Sequence, residues 1–163
     1  MATVAPQEPA WVPKAPIQIN ETASIAARPA EVWNVLADNS TWVDWFPGFT
    51  HCASITDAPH QAGSIREVKQ DQFTVKEKIT NWEPGRHWAM TVTEIRPGLL
   101  ASMAETVSLT EAEPGLTSIE WNIGVATKWW IKPARSQLAK KATENLHTAL
   151  QNLETYVQNA AEG

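Results

Sequence analysis

The chain has 163 residues, a mass of 18.0 kDa, a formal net charge of −5 and a pI near 5.3. That length is one domain, able to bury roughly 70 % of its unfolded surface without covalent staples. The acidic balance runs against phosphate neutralisation, and so against nucleic acid and an anionic membrane surface, while a single cysteine, Cys52, excludes an intramolecular disulfide.

No apolar run approaches the ~20 residues that span a bilayer. The first sixteen residues lack the basic and then apolar regions of a signal peptide, so a cytoplasmic location is expected. Nine Trp stand against one Tyr and three Phe. Each Trp brings a large apolar area and one N–H that wants a partner, which implies a thick aromatic core or a lined pocket.

Residues 1–16 carry Pro6, Pro9, Pro13 and Pro16, which block helix interiors and sheet ladders. They read as an extended, mobile tail ahead of a domain spanning 17–160. In 17–26 the odd positions Ile17, Ile19, Ala23 and Ile25 are apolar, the period of a half-buried strand. Pro29 suits the first position of a helix, and Val32, Trp33, Leu36 and Ala37 give that helix one apolar stripe. A break at 38–41 leads to a second short helix, TWVDWF, ended by Pro47-Gly48.

From 49 to about 127 strand follows strand: FTHCASI, SIREVKQ, FTVKEKIT, HWAMTVTEI, LLASMAETVSL and LTSIEWNIGVAT. Short loops, three of them carrying Pro-Gly, indicate an antiparallel meander, because parallel crossovers need more chain. After Pro133 the period becomes helical: Leu138, Ala142, Leu146, Ala149, Leu150, Leu153 and Val157 form one stripe that must lie on an apolar face. The fold expected is α+β: a seven-stranded curved antiparallel sheet wrapped around a long C-terminal helix, with two short helices after the first strand.

This order resembles the START-like or SRPBCC superfamily, the helix-grip fold, over about 17–158. The pieces that carry the resemblance are AARPAEVW (26–33), WVDWFPG (42–48), EKITNWEP (77–84) and ALQNLETYV (149–157). It is similar to the polyketide cyclase/dehydratase-like branch. The resemblance implies an internal apolar cavity between sheet and helix, closed at one end by the short helices. Function is not implied as firmly, since one fold hosts many activities.

Two carboxylates, Glu77 and Glu105, fall on strand faces that otherwise read as apolar. A buried carboxylate is costly unless paired or protonated, so each is either a polar anchor or acid/base inside the cavity, or is paired with a group such as Arg66. His51 shares parity with Phe49 and Ile55 and is expected to face inward; Arg66 is ambiguous, sharing parity with Val68 but not Ile65. Glu77, Glu105, His51 and Arg66 are therefore the candidate catalytic residues. The expected ligand-binding wall is Phe73, Val75, Glu77, Trp88, Met90, Val92, Met103, Glu105, Trp121 and Ile123, with Leu146 and Leu150 from the helix. The His and Cys spacings contain no HxH, HExxH or CxxC, so no metal and no cofactor are expected.

The leading expectation is a carrier or sensor of a small hydrophobic molecule, a lipid or a polyketide-like aromatic. The second is a cyclase, aromatase or dehydratase using a cavity Glu or His. The third is a protein-interaction module with a vestigial cavity, working through its tail or a dimer face. The sequence leaves monomer and homodimer open.

Overall fold

The computed structural model describes residues 1–163. The alternating segments pair into one antiparallel sheet: β1 (Ala2–Thr3), β2 (Ile17–Ile25), β3 (Phe49–Ser54), β4 (Ile65–Gln70), β5 (Phe73–Glu83), β6 (His87–Arg96), β7 (Leu100–Glu113) and β8 (Leu116–Thr127). Their spatial order is β2-β8-β7-β6-β5-β4-β3, with β1 laid beside β6. The seven expected strands are all present, and β1 is an eighth.

The two short helices are α1 (Pro29–Ala37) and α2 (Trp42–Trp45). Glu31 opens α1 by accepting the Arg28 backbone N–H at 2.8 Å, and Asp38 starts the next turn by accepting the Ser40 N–H at 3.0 Å. The long helix α3 (Arg135–Glu162) buries Leu146, Ala149, Leu150, Leu153 and Val157. Asn152 ties α3 to α2 by donating to the Trp45 carbonyl at 3.0 Å.

Six of the nine Trp gather where α1, α2 and α3 meet the sheet. Trp42 is 1 % exposed, and its ring lies 4.5 Å from Trp45, 5.3 Å from Trp88 and 5.8 Å from Trp121; Trp33 meets Trp82 at 4.8 Å. Three of their N–H groups are placed: Trp42 donates to the Leu36 carbonyl, Trp45 to Thr41 Oγ1 and Trp121 to Glu105 Oε2, whereas the buried Trp88 N–H has no partner.

The mobile tail is a correction. Strands β6 and β7 pair only where His87–Thr91 face Ser108–Ala104, and beyond Thr91 they part. Residues 2–7 fill the opening: Ala2 and Thr3 pair with Ile95 and Glu94, Val4 donates to the Thr93 carbonyl at 2.9 Å and Ala5 to that of Ala101 at 3.1 Å. Gln7 adds its backbone N–H to Thr91 Oγ1 and its side chain to Ser102 Oγ. A single 3₁₀ helix, Pro9–Lys14, then crosses the outer face of β8. Gly124 makes that crossing feasible, because a Cβ there would meet Ala15 Cβ at 2.8 Å and the Val12 backbone at 3.0 Å. The prolines do exclude long regular elements, but Val4, Val12 and Ala15 are apolar anchors buried to 5 % exposure or less.

Five register shifts set which side chains face inward. In β3 the register shifts between Phe49 and His51; in β5 and β6 it shifts around Lys76/Glu77 and Ile79/Asn81; in β7 it shifts around Leu100/Ser102 and Glu111/Glu113. Each shift exchanges the faces beyond it.

Candidate functional site

Sheet and helix do not close completely. Between the inner face of β2 and β4–β8 and the first half of α3 lies a cavity of about 270 Å³. Its walls are mostly aliphatic: Ile17, Ile19, Val68, Phe73, Val75, Val92, Ile95, Leu100, Met103, Ile123, Val125, Leu138, Ala142 and Leu146. Trp42, Phe46 and Phe49 close its inner end. Asp71, Gln72, Leu99 and Lys141 also line it, and Lys141 reaches Asp71 at 3.6 Å from α3 to the β4–β5 turn.

Three of the charged side chains that line this hollow are buried. Arg66 is 5 % exposed and its Nε donates to Glu77 Oε2 at 2.6 Å. Its guanidinium also donates to Asn39 Oδ1 at 3.2 Å and lies 4.2 Å from the centre of the Trp42 ring and 5.4 Å from that of Trp88. Burial, the largest single influence, works against the Arg66 charge, but the Glu77 carboxylate, helped by Cys52 and Glu105, more than offsets it and holds the group cationic. A planar guanidinium set against indoles and bonded to a carboxylate is one of the few ways to keep a buried charge.

Glu105 sits on β7 opposite Met90 and Ile123. It is 6 % exposed and has no cationic partner within ion-pair distance; its Oε2 accepts the Trp121 N–H at 2.9 Å. Burial, and then the nearby Glu77 carboxylate, push its pKa up to about 7, against the opposing pull of Trp121 and Arg66. One carboxylate is thus paired, the other poised to carry a proton near neutrality.

Most of the expected wall lies where the alternation places it. Phe73, Val75, Glu77, Val92, Met103, Glu105, Ile123 and Leu146 line the cavity, and so does Arg66, whose ambiguity resolves in favour of Val68's face. Trp88, Met90, Trp121 and Leu150 do not. They are at most 3 % exposed and pack in the solid aromatic end, because indole rings fill the space there.

His51 is a second correction. The β3 bulge turns it outward, its side chain is 43 % exposed, and Nε2 faces Glu67 at 3.8 Å. Cys52 takes the inward position instead, where burial pushes its thiol up to about 11, too high for a nucleophile at neutral pH. Val125 lines the cavity as its parity with Ile123 indicates, while Ile95 and Leu100 join the wall without having been expected. The Val75–Ile95 pairing lies beyond the shift at Lys76/Glu77, and Leu100 precedes a shift in β7. Only the apolar character of Ile95 on the nominally outer face could have flagged the change.

A curved antiparallel sheet closed on a long C-terminal helix around an apolar hollow defines a START-like, helix-grip protein. The chain belongs to the family described as polyketide cyclase / dehydrase and lipid transport, which matches residues 16–158. An uncharacterised protein of Mycobacterium tuberculosis is 26 % identical over 143 residues, covering 87 % of this chain and 85 % of its own. Among solved structures, a START superfamily protein from Mycobacterium smegmatis superposes with a TM-score of 0.73 at 15 % identity, over 88 % of this chain and 99 % of that one. The Zhui aromatase/cyclase from Streptomyces sp. R1128 gives 0.74 at 15 % identity, over 88 % and 94 %. At such identities these likenesses establish the fold alone. No helix is long and apolar enough to cross a membrane.

Proposed function

We propose that this protein binds a compact apolar molecule bearing one uncharged polar group, and carries or senses it. The observation that supports this best is the cavity of about 270 Å³ whose mostly apolar lining holds Arg66, Glu77 and Glu105 as buried charged groups, the exposed Lys141 and Asp71 being paired with each other. Its volume lies just below the usual range of roughly 300–1,000 Å³ for small-molecule sites, which favours a short chain or a small ring system over a long lipid. The Arg66–Glu77 pair is internally neutralised, and Glu105, with its pKa pushed up to about 7, carries a proton in a large share of molecules near neutrality. A neutral lining disfavours an ionic ligand. A protonated Glu105, with one oxygen held by Trp121, has its O–H free to donate to a ligand carbonyl.

The raised pKa of Glu105 supports a second reading, a cyclase or dehydratase. Here Glu105 would give its proton to a carbonyl oxygen as a ring closes, and the shaped walls would hold the chain in the closing geometry. The interaction-module reading loses its main support, because the segment it relied on is packed against the sheet.

The test is binding of a neutral apolar fluorophore, coupled to mass spectrometry of compounds released from protein purified from its native host. Met103→Trp should fill the cavity and weaken the probe by about tenfold or more while the fold survives, since extra bulk enters a void rather than a packed core. Unchanged affinity in that variant would place binding elsewhere. Retention of ligand but loss of turnover in Glu105→Gln would favour the enzyme.

A further inference from the structure

Five of the chain's 13 basic residues, and none of its 18 acidic ones, fall within 128–141: Lys128, Lys132, Arg135, Lys140 and Lys141. The net charge of −5 thus conceals one strongly basic stretch. The same stretch holds Trp129 and Trp130, which are 82 % and 51 % exposed, the only adjacent pair among the large exposed apolar side chains. Leaving two indoles in water wastes the largest apolar area any side chain can bury.

Their position matters. A 3₁₀ helix, Trp129–Ala134, joins Thr127 at the end of β8 to the first turns of α3, and Thr127, Leu138 and Lys141 all line the cavity. Lys128 donates its backbone N–H to the carbonyl of Leu99, another lining residue, and Arg135 Nε donates to Thr127 Oγ1 at 2.8 Å. The indoles therefore stand on the cavity's rim. Lys140 and Lys141 face Glu144 and Asp71, but Lys128, Lys132 and Arg135 enter no ion pair.

We propose that this rim docks the protein on an anionic lipid bilayer, with Trp129 and Trp130 entering the headgroup region and Lys128, Lys132 and Arg135 contacting lipid phosphates. Indoles favour the membrane–water interface because one edge is apolar and the N–H stays wet, and juxtaposed Lys and Arg add attraction to a negative surface. An acidic protein surface or a nucleic acid would also take cations and indoles, but neither offers an apolar reservoir to the hollow that these residues rim, and failure to float is the outcome that would favour them. Docking would bring the cavity mouth to the membrane, so ligand could pass between bilayer and pocket with little exposure to water. That last step rests on the cavity reading above; the docking itself does not.

Flotation with vesicles tests it, using phosphatidylcholine alone against phosphatidylcholine with about one-third phosphatidylglycerol, the latter approximating an anionic leaflet. Binding to the anionic vesicles, a blue shift of Trp emission, and weakening by added salt are expected. Trp129→Ala/Trp130→Ala should abolish the blue shift, and Lys128→Ala and Lys132→Ala should each weaken binding about fivefold. Lys78→Ala, the same charge change on the outer face of β5, should have no effect. Failure to float with either vesicle, or equal losses in Lys78→Ala and the rim variants, would overturn the proposal. The neutral fluorophore assay without vesicles separates the two readings: Trp129→Ala/Trp130→Ala should retain full probe affinity. Loss of flotation with probe binding intact removes only docking; flotation without probe binding removes only the cavity function.

Discussion

The two ends of the grip are made by the same helix and the same sheet, yet one is solid and the other hollow. At the solid end, Trp33, Trp42, Trp45, Trp82, Trp88 and Trp121 bridge from sheet and short helices to the half of α3 that buries Leu150, Leu153 and Val157. At the hollow end the facing residues are Val, Ile, Leu, Met and Ala, and Leu138 and Ala142 on α3 are only half-buried. Where the indoles stop, the aliphatic side chains of sheet and helix leave the space between them unfilled. A cavity here needs no special device; it follows from where the large rings stop.

The comparison is broken most severely at Trp42, which seals the boundary between the two ends. Trp42→Ala should cost about 3–5 kcal/mol in thermal unfolding, because a fully buried indole leaves a void and Arg66 loses its stacking face. A change below about 1 kcal/mol would mean the aromatic end is not rigidly packed. Next comes the charged pair in the lining. Arg66→Met should destabilise by about 3 kcal/mol by stranding Glu77, and adding Glu77→Gln should recover much of that loss. If the double variant is as unstable as the single, the Arg66 stack on Trp42 matters more than the ion pair.

The subtlest probe is Glu105. Its folded pKa stands above its unfolded value, so the folded state holds the extra proton between about 4.5 and about 7. Stability should therefore fall as pH rises through that window, and the loss is complete above it. Comparing chemical denaturation at about pH 5 and about pH 8, Glu105→Gln should flatten the wild-type decline by of order 1–3 kcal/mol. An unaltered difference would show that Glu105 is ionised throughout.

The strand order, both short helices and the long helix were legible because each carries a clear period: two in FTVKEKIT, three and four in the stripe from Leu138 to Val157. The polar lining was legible for the same reason, since Glu77 and Glu105 interrupt apolar faces. What escaped was local. Bulges leave almost no trace in composition, so His51 was assigned the place that Cys52 holds, and Ile95 was missed. Trp88, Met90 and Trp121 lie on the inner face as their parity suggested. Whether an inward side chain meets space or another ring depends on residues distant in sequence. The N-terminal segment looks mobile in sequence because its prolines are conspicuous, whereas Val4 and Val12 are single apolar residues whose partners no period reveals.

That segment also bears on how the chain reaches its native state. Gln7 finds Thr91 and Ser102 across separations of 84 and 95 residues, and Val4 packs with Val92 and Ile95 behind the cavity wall. Residues emerging early from the ribosome must therefore wait for more than half the polypeptide before their partners exist. Closing so long a loop is entropically slow, and the seam between β6 and β7 should be among the last parts of the sheet to acquire slow amide hydrogen exchange during refolding.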